Sequence, residues 1–104
     1  MPIVVFVTAK DIKEAGKIAA KLVEGRLAAC VNVVKEIQSM FRWEGKVDHA
    51  KEVLLIIKTK KKLLPQIIQS VKAAHSYSVP EIIALPIVDG NKDYLDWINE
   101  SVLP

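Results

Sequence analysis

The residues best suited to chemistry lie in one short segment, His75-Ser-Tyr-Ser-Val-Pro-Glu81, which ends where a continuous apolar run begins. His75 supplies an imidazole, which in its neutral form is an intermediate ligand for Cu(II), Zn(II) or Ni(II). Tyr77 and Glu81 supply a phenol and a carboxylate, which can hydrogen-bond to a bound molecule. Because the packing of the apolar strand would hold these groups in place, we expect any site to lie here.

Three residues outside this segment are also candidates for binding. Cys30 lies among alanine and valine neighbours, so it is either a small buried apolar residue or a soft metal ligand. Lys58 lies in an apolar strand pattern, so its charge must reach solvent or meet an anion. Trp43 has an apolar body and a polar edge, which suits an interface rather than a cofactor pocket. The candidate metal ligands are therefore His75 and Cys30, and the candidate ligand-binding residues are Lys58, Tyr77, Glu81 and Trp43.

The same residues also allow purely structural interpretations. His75 follows a helical pattern, where it could interact with the helix dipole or fill the core. Glu81 could instead be the ion-pair partner of Lys58. His49 lies in a charged stretch and is expected to be solvated. A single histidine binds a metal weakly, so a metal site would need further ligands.

The sequence contains no recognisable catalytic motif. No serine or cysteine stands with base and orienting partners, and no helical pair of histidines is present. The chain has only 4 glycines, and they form no phosphate-binding loop. We therefore expect a binding protein rather than an enzyme, with no required cofactor.

Composition indicates one globular domain over residues 1–104. Hydrophobic residues make up 51% and charged residues 26% of the chain, which excludes disorder. The net charge of +3 comes largely from a lysine run at positions 58 and 60–62, which is typical of a solvated helix start and does not indicate a nucleic-acid partner. One cysteine fits a reducing compartment, and the apolar N-terminal run is too short for a signal peptide or a membrane span. We expect a cytoplasmic protein with no membrane partner.

The hydrophobic pattern predicts alternating strands and helices. Ile3 to Val7 is typical of a strand covered on both faces. Asp11 and Glu14 form a variant capping box, and Glu44-Gly45 predicts a tight hairpin turn. The remaining segments are a helix to Gly25, strands over 27–34, 37–43 and 53–57 with a bulge or bend at 35–36, a helix with Pro65 in its first turn, a strand over 81–88 and a last helix from about Tyr94.

This order, βαββαβ plus a C-terminal helix, predicts an α+β, ferredoxin-like sandwich. Several functions use that fold, and the residues argue against three of them. An RNA-recognition module needs aromatic residues on the third strand, and none is present there. A copper chaperone of this shape needs paired cysteines after the first strand, where this chain has no cysteine. An acylphosphatase needs an arginine in that loop, where this chain has Lys10.

Three blocks of sequence identify a family resemblance: Arg26-Leu-Ala-Ala-Cys-Val-Asn32, Trp43-Glu-Gly-Lys46 with Glu52 to Thr59, and His75 to Pro86 with Gly90 to Ile98. Together they resemble the CutA family of divalent-ion tolerance proteins. The resemblance implies a ferredoxin-like protomer in a homotrimer, cytoplasmic in bacteria and linked to tolerance of copper and other divalent ions. The chain departs from the family pattern at Lys35 and Ser76, where proline is common, and at Ser78, where an acidic residue is common.

Two functional hypotheses follow from the residues and the resemblance. The first is a trimeric, cytoplasmic protein that binds copper or another divalent metal ion weakly in clefts between protomers. The second is a trimeric signalling module, similar to the PII proteins, that binds a small anionic metabolite in the same clefts. Lys58, Tyr77 and Glu81 around one cleft would favour the second, whereas Cys30 or His75 reaching solvent would favour the first. A structural hub for partner proteins is a third possibility.

Overall fold

The computed structural model describes residues 1–104. The strands are β1 Pro2–Ala9, β2 Cys30–Trp43, β3 Lys46–Lys60 and β4 Ile82–Pro86. The helices are α1 Ile12–Glu24, α2 Leu64–Ala74, which a 3-10 turn over Lys61–Leu63 precedes, and α3 Lys92–Ser101. This βαββαβα order confirms the predicted α+β architecture, including the additional C-terminal helix.

The strands form a 4-stranded sheet in the order β2-β3-β1-β4. Each neighbouring pair is antiparallel, and β1 lies between its two partners, so that Val5 is opposite both Ile57 and Ala84. Strand β4 is an edge strand, and Pro86 is its last residue. This position agrees with the prediction that Pro86 would lie at an edge or a strand end, because proline has no N–H to donate to a second neighbour.

Helices α1 and α2 cover one face of this sheet. The buried core joins Val5 and Val7 of β1 and Leu55 and Ile57 of β3 to four helix residues, which are Ile18, Leu22, Ile67 and Val71. Burial along β1 alternates: Ile3, Val5 and Val7 are buried, whereas Val4 and Phe6 are only half-buried. The apolar run of β1 was predicted to be covered on both faces, and within one chain it is covered on one.

The opposite side of the sheet, which we call the open face, is also largely apolar. Residues on the open face are identified by strand alternation and cross-strand register, in which Val4 is opposite Lys58 and Leu85. Its apolar members are Val4, Phe6, Val34, Leu54, Ile56, Ile83 and Leu85, and its polar members include Cys30, Asn32 and Lys58. Ile83 is 51% exposed and Leu85 is 44% exposed. This side of the sheet therefore presents apolar side chains that the chain itself does not cover.

Helix α3 contacts β1 and β3, and its Tyr94 lies beside Cys30 at one end of the open face. Arg26 has a positive φ of 58°, and its guanidinium donates to the last carbonyls of α3 at Glu100, Ser101 and Val102. These bonds satisfy carbonyl groups that a helix end leaves without internal partners.

The start of α1 follows the predicted capping pattern. The carboxylate of Asp11 accepts a hydrogen bond from Glu14 N at 2.8 Å, which satisfies one of the free N–H groups of the first helical turn. Glu14 does not reach back to Asp11, as it would in a capping box. Its carboxylate instead binds residues outside the helix.

Strands β2 and β3 form the predicted hairpin. The turn residues Glu44 and Gly45 have φ values of 51° and 80°, as a two-residue type I′ turn requires. The register shifts between Val34 and Ile37, which confirms the predicted bulge. Strand β1 pairs with residues 53–60 of β3. The half of the hairpin that lies between the turn and Val53 has no pairing with β1 and projects past the sheet.

Candidate functional site

A cavity of about 790 Å³ lies between the projecting half of the hairpin and the connecting loop 75–81. We call it the hairpin cavity. The hairpin contributes Phe41, Trp43 and Glu52 to its wall, and the loop contributes Tyr77, Val79 and Glu81. The cavity therefore combines aromatic side chains with carboxylates, at a place that one chain leaves accessible.

Strand alternation places the hairpin residues on this wall. Phe41 is opposite Asp48, and Ile37 is opposite Glu52. Residues at even spacing along one strand point to the same side, and directly opposed residues share a side. Phe41, Trp43, Asp48 and Glu52 consequently lie on one face of the hairpin, although they come from two strands.

Glu52 is the most enclosed ionisable group of the cavity, with 8% exposure. Tyr77 Oη donates to Glu52 Oε2 at 2.9 Å. Burial, together with this hydrogen bond and the charge of Glu52, raises the pKa of Tyr77 to about 12. Burial also raises the pKa of Glu81, and repulsion from Glu52 adds to the rise. The ion pairs of the chain include neither carboxylate.

His75 anchors the loop that carries Tyr77 and Glu81. Its side chain is fully buried, Nε2 lies 2.7 Å from the carbonyl oxygen of Thr8, and Nδ1 accepts from Tyr77 N at 3.0 Å. A carbonyl can only accept, so these partners assign the neutral tautomer with the proton on Nε2. Both ring nitrogens are engaged, and a metal ion would have to displace one of these bonds.

Glu14 fixes the same loop from the opposite side. Its Oε1 accepts from Lys10 N at 3.1 Å and its Oε2 accepts from Ser76 N at 3.0 Å. Burial acts to raise the pKa of Glu14, but the hydrogen bonds from Ser76 and Lys10 outweigh it, and the pKa is lowered. Glu14 therefore joins the start of α1 to the loop.

Cys30 and Lys58 form a separate cluster on the open face. Lys58 Nζ donates to Asn32 Oδ1, which lies 3.9 Å from Cys30 Sγ. Burial raises the pKa of Tyr94, and the neighbouring thiol of Cys30 adds to the rise. The sequence predicts that Lys58 reaches solvent or meets an anion such as Glu81. Within the chain its partner is the neutral amide of Asn32, and Glu81 lies near Glu52 instead. The thiol of Cys30 is partly exposed.

The structure thus brings together three of the predicted residues, Trp43, Tyr77 and Glu81, around one cavity. It places Cys30 and Lys58 elsewhere and buries His75 behind the loop. No group of three or more His, Cys, Asp or Glu side chains in the chain is arranged to hold a metal ion. No helix is both long and apolar enough to cross a membrane.

Sequence reasoning missed two residues that organise the site, Glu52 and Glu14. Glu52 and Lys58 are the charged residues at the two ends of an apolar strand segment. The charge of Glu52 could therefore have indicated a functional residue, as the charge of Lys58 did. Glu14 was interpreted only as part of a helix cap. Its bond to Ser76 joins residues far apart in sequence, and no local pattern indicates it.

Comparison with known proteins gives consistent results. A family profile described as "CutA1 divalent ion tolerance protein" matches residues 3–101. The "Divalent-cation tolerance protein CutA" of Thermus thermophilus is 49% identical over 98 residues, which are 94% of this chain and 95% of that protein. The rice "Protein CutA 1, chloroplastic" is 53% identical over 95% of this chain, which spans 56% of the rice protein.

Solved structures show the same fold. The divalent cation tolerance protein of Thermus thermophilus superposes with a TM-score of 0.96 at 48% identity, covering 98% of this chain and 99% of the other. An Archaeoglobus fulgidus protein described as a "Periplasmic divalent cation tolerance protein CutA" also gives 0.96, at 45% identity, covering 99% of this chain and 100% of the other. The order of elements and the sheet are thus shared along the whole chain.

Proposed function

Since the chain belongs to the CutA1 divalent ion tolerance family, we propose that it works as a homotrimer that binds divalent metal ions weakly in clefts between protomers. Copper, which the family resemblance implies, is the proposed ion, and the cytoplasm, which the composition predicts, is the proposed compartment. The words "periplasmic" and "chloroplastic" belong to relatives. The proposed role is that of a binding protein, with no catalytic step.

The observation that carries the proposal is the uncovered apolar surface of the open face. Ile83, Leu85 and Val34 are each at least 39% exposed, and contiguous apolar surface of this kind is typical of protein interfaces. Before Val53, strand β3 also pairs only with β2, which leaves backbone groups for another strand. A second copy of the chain would cover both features, and the family resemblance implies a ring of three.

The ligands of the single chain also favour sites shared between protomers. No complete set of metal ligands is present within one chain. Cys30 lies on the open face with a partly exposed thiol, so a neighbouring protomer is in a position to complete a site around it. His75 is the second candidate, and it would have to release Thr8 O or Tyr77 N first. Weak binding is the expected consequence.

Light scattering at micromolar concentration tests the assembly. The expected mass is that of three chains of 11.6 kDa each. Leu85→Lys introduces a charge into the proposed interface and should shift the mass toward one chain, whereas Val88→Lys, at a side chain that is 93% exposed, should not. A parent protein that stays monomeric would contradict the proposal.

Calorimetric titration with Cu(II), Zn(II) and Mg(II) tests the metal site. Ligands of soft and intermediate character predict that Cu(II) binds more tightly than Zn(II), and Zn(II) far more tightly than Mg(II). Cys30→Ser and His75→Gln should each weaken Cu(II) binding, and His49→Gln, at an exposed position, is the matched control. A thiol assay after each titration separates ligation from oxidation of Cys30. Unchanged affinity in the first two variants would place the ions elsewhere.

The second hypothesis, an anionic metabolite in clefts between protomers, receives no support from the charges of the hairpin cavity. Asp48, Glu52 and Glu81 line the cavity together with one cation, Arg42. Lys58, the residue on which the anion hypothesis most depends, is bound to Asn32 outside this wall. The charge of the hairpin cavity favours a cationic occupant.

A further inference from the structure

The hairpin cavity holds carboxylates that the chain does not neutralise. Glu52 is nine-tenths buried and its only hydrogen bond comes from Tyr77, to Oε2. Glu81 lies close enough to be affected by its charge, and no lysine, arginine or histidine forms an ion pair with either residue. An enclosed charge without a partner is unfavourable. A cation entering the cavity would relieve this cost.

The other walls of the cavity distinguish between kinds of cation. Phe41, Trp43 and Val79 are 39%, 47% and 68% exposed, and they line the same space as the carboxylates. A hydrated metal ion needs several oxygen ligands and gains nothing from an apolar wall. An organic ammonium ion can instead place its charge on the carboxylates and its carbon chain on the aromatic rings, which attract cations through their faces.

The volume of the hairpin cavity and the orientation of the Glu52 carboxylate also favour an organic ammonium ion. A volume of about 790 Å³ is within the range of pockets that enclose small organic ligands, roughly 300 to 1,000 Å³. Tyr77 holds Glu52 through Oε2, which leaves Oε1 without a partner in the chain. The carboxylate is therefore oriented before any ligand arrives, which reduces the entropic cost of binding.

We propose that the hairpin cavity binds a small alkylammonium ion, with its ammonium group between Glu52 and Glu81 and its alkyl chain against Phe41 and Trp43. This site is separate from the metal site proposed above and does not depend on it. The same chemistry could come from a free amine or from a lysine side chain of a neighbouring protomer. The proposal is for the free amine.

Calorimetric titration of the full chain, in its native assembly at pH 7, tests the proposal with four six-carbon probes. Hexylamine and 1,6-diaminohexane should bind saturably, whereas hexanol and hexanoate should bind at least about tenfold more weakly because they lack the charge-assisted hydrogen bonds. If hexanol binds as tightly as hexylamine, only apolar contacts hold the probe, and the proposal is overturned. Magnesium chloride should displace hexylamine no better than sodium chloride of equal ionic strength, and selective displacement would indicate a divalent-ion site instead.

Variants locate the binding. Glu52→Gln keeps the shape of the side chain and should weaken hexylamine binding at least about tenfold. Trp43→Leu, at a side chain that is 47% exposed in the single chain, should weaken it about threefold to tenfold through loss of the cation–π contact. Glu36→Gln, on the same hairpin but outside the cavity, is the matched control. Parent-like hexylamine affinity in both test variants would overturn the proposal.

A crystal structure of the assembly distinguishes the two sources of ammonium. If a lysine of a neighbouring protomer occupies the site, its Nζ will lie within hydrogen-bond distance of Glu52, and hexylamine will not bind. That result would overturn the proposal of a free ligand. The Cu(II) affinity of Glu52→Gln should equal that of the parent, so failure of the metal proposal and failure of the ammonium proposal give different results.

Discussion

Replacing Glu14 with glutamine tests whether this one carboxylate fixes the connecting loop 75–81 to helix α1. In the native chain the two oxygens of Glu14 accept from Lys10 N and Ser76 N at 3.1 and 3.0 Å. Glutamine has the same length but only one oxygen, and its amide nitrogen donates. One of the two backbone N–H groups must then face another donor, and the bond that remains is no longer charge-assisted.

The structure gives the size of this effect. Glu14 is 8% exposed, so the bonds are largely shielded from water. A hydrogen bond to a charged group contributes about 1.5 to 3 kcal/mol, and leaving a buried donor unsatisfied costs about 1 to 3 kcal/mol. We expect Glu14→Gln to lower the free energy of unfolding by about 2 to 3 kcal/mol at pH 7. Glu24→Gln changes an exposed carboxylate of the same helix and should change it by less than about 0.5 kcal/mol.

The pH dependence provides an independent check. The folded-state pKa of Glu14 is lowered from the ordinary value of 4.5. The unfolded chain consequently takes up a proton first as the pH falls, and the stabilisation is complete above pH 4.5 and lost as the pH falls through the folded pKa. The difference between the parent and Glu14→Gln should therefore shrink as the pH falls below 4.5.

Guanidinium unfolding of parent, Glu14→Gln and Glu24→Gln, at one fixed chain concentration and at several pH values, measures both effects. The reasoning is refuted if Glu14→Gln stays within 0.5 kcal/mol of Glu24→Gln at pH 7. It is also refuted if the difference from the parent does not change with pH, because a mere packing defect would not depend on protonation of residue 14.

Three shorter predictions concern the turn, the cavity and the open face. Gly45→Ala should destabilise the folded chain by about 1 kcal/mol, because residue 45 has a φ of 80°. Gly16→Ala in α1, where a new Cβ meets nothing within 4 Å, should stabilise the folded chain by about 0.5 to 1 kcal/mol. Equal effects of the two variants in urea titrations would contradict this prediction. In a Tyr94→Phe background, ultraviolet titration should show Tyr77 ionising near pH 12, and stability should fall from pH 10 toward 12 because the unfolded phenol ionises first; Tyr77→Phe should abolish that fall. Lys58→Met should change stability by less than about 1 kcal/mol, because its partner is the neutral Asn32 rather than the carboxylate of a buried pair, whose loss costs about 3 to 5 kcal/mol.

Local chemistry explains which parts of the fold were predictable. The Asp11 cap, the Glu44-Gly45 turn and the position of Pro86 each depend on a few neighbouring residues, and the structure contains all three. Within the single chain the second face of β1 is only half-buried. An apolar run predicts that both faces of the strand are buried. It does not indicate whether a helix of the same chain or a second copy of the chain covers each face.

The site was predictable only in part, for the same reason. Tyr77 and Glu81 lie in one segment, and their proximity in sequence indicated a common site. Glu52 joins them through a fold that pairs β3 with β1 and places the hairpin against the loop. The roles of His75 and Glu14 depend on Thr8 and Ser76, which lie far from them in sequence. Residue types indicated which side chains could take part in chemistry, whereas long-range contacts decided which of them lie together.

The central place of β1 has a consequence for how the chain folds. Val5 belongs to the first strand, yet its two partners are Ile57 and Ala84. During synthesis β1 therefore remains unpaired until β3 has emerged, and its second edge stays open until β4 follows. The pairing of β2 with β3 joins residues closer in sequence than any other strand pair does, and its turn has favourable geometry, so the hairpin is expected to form first. An apolar strand that waits this long is exposed to aggregation, which makes rapid closure of the hairpin the step on which productive folding depends.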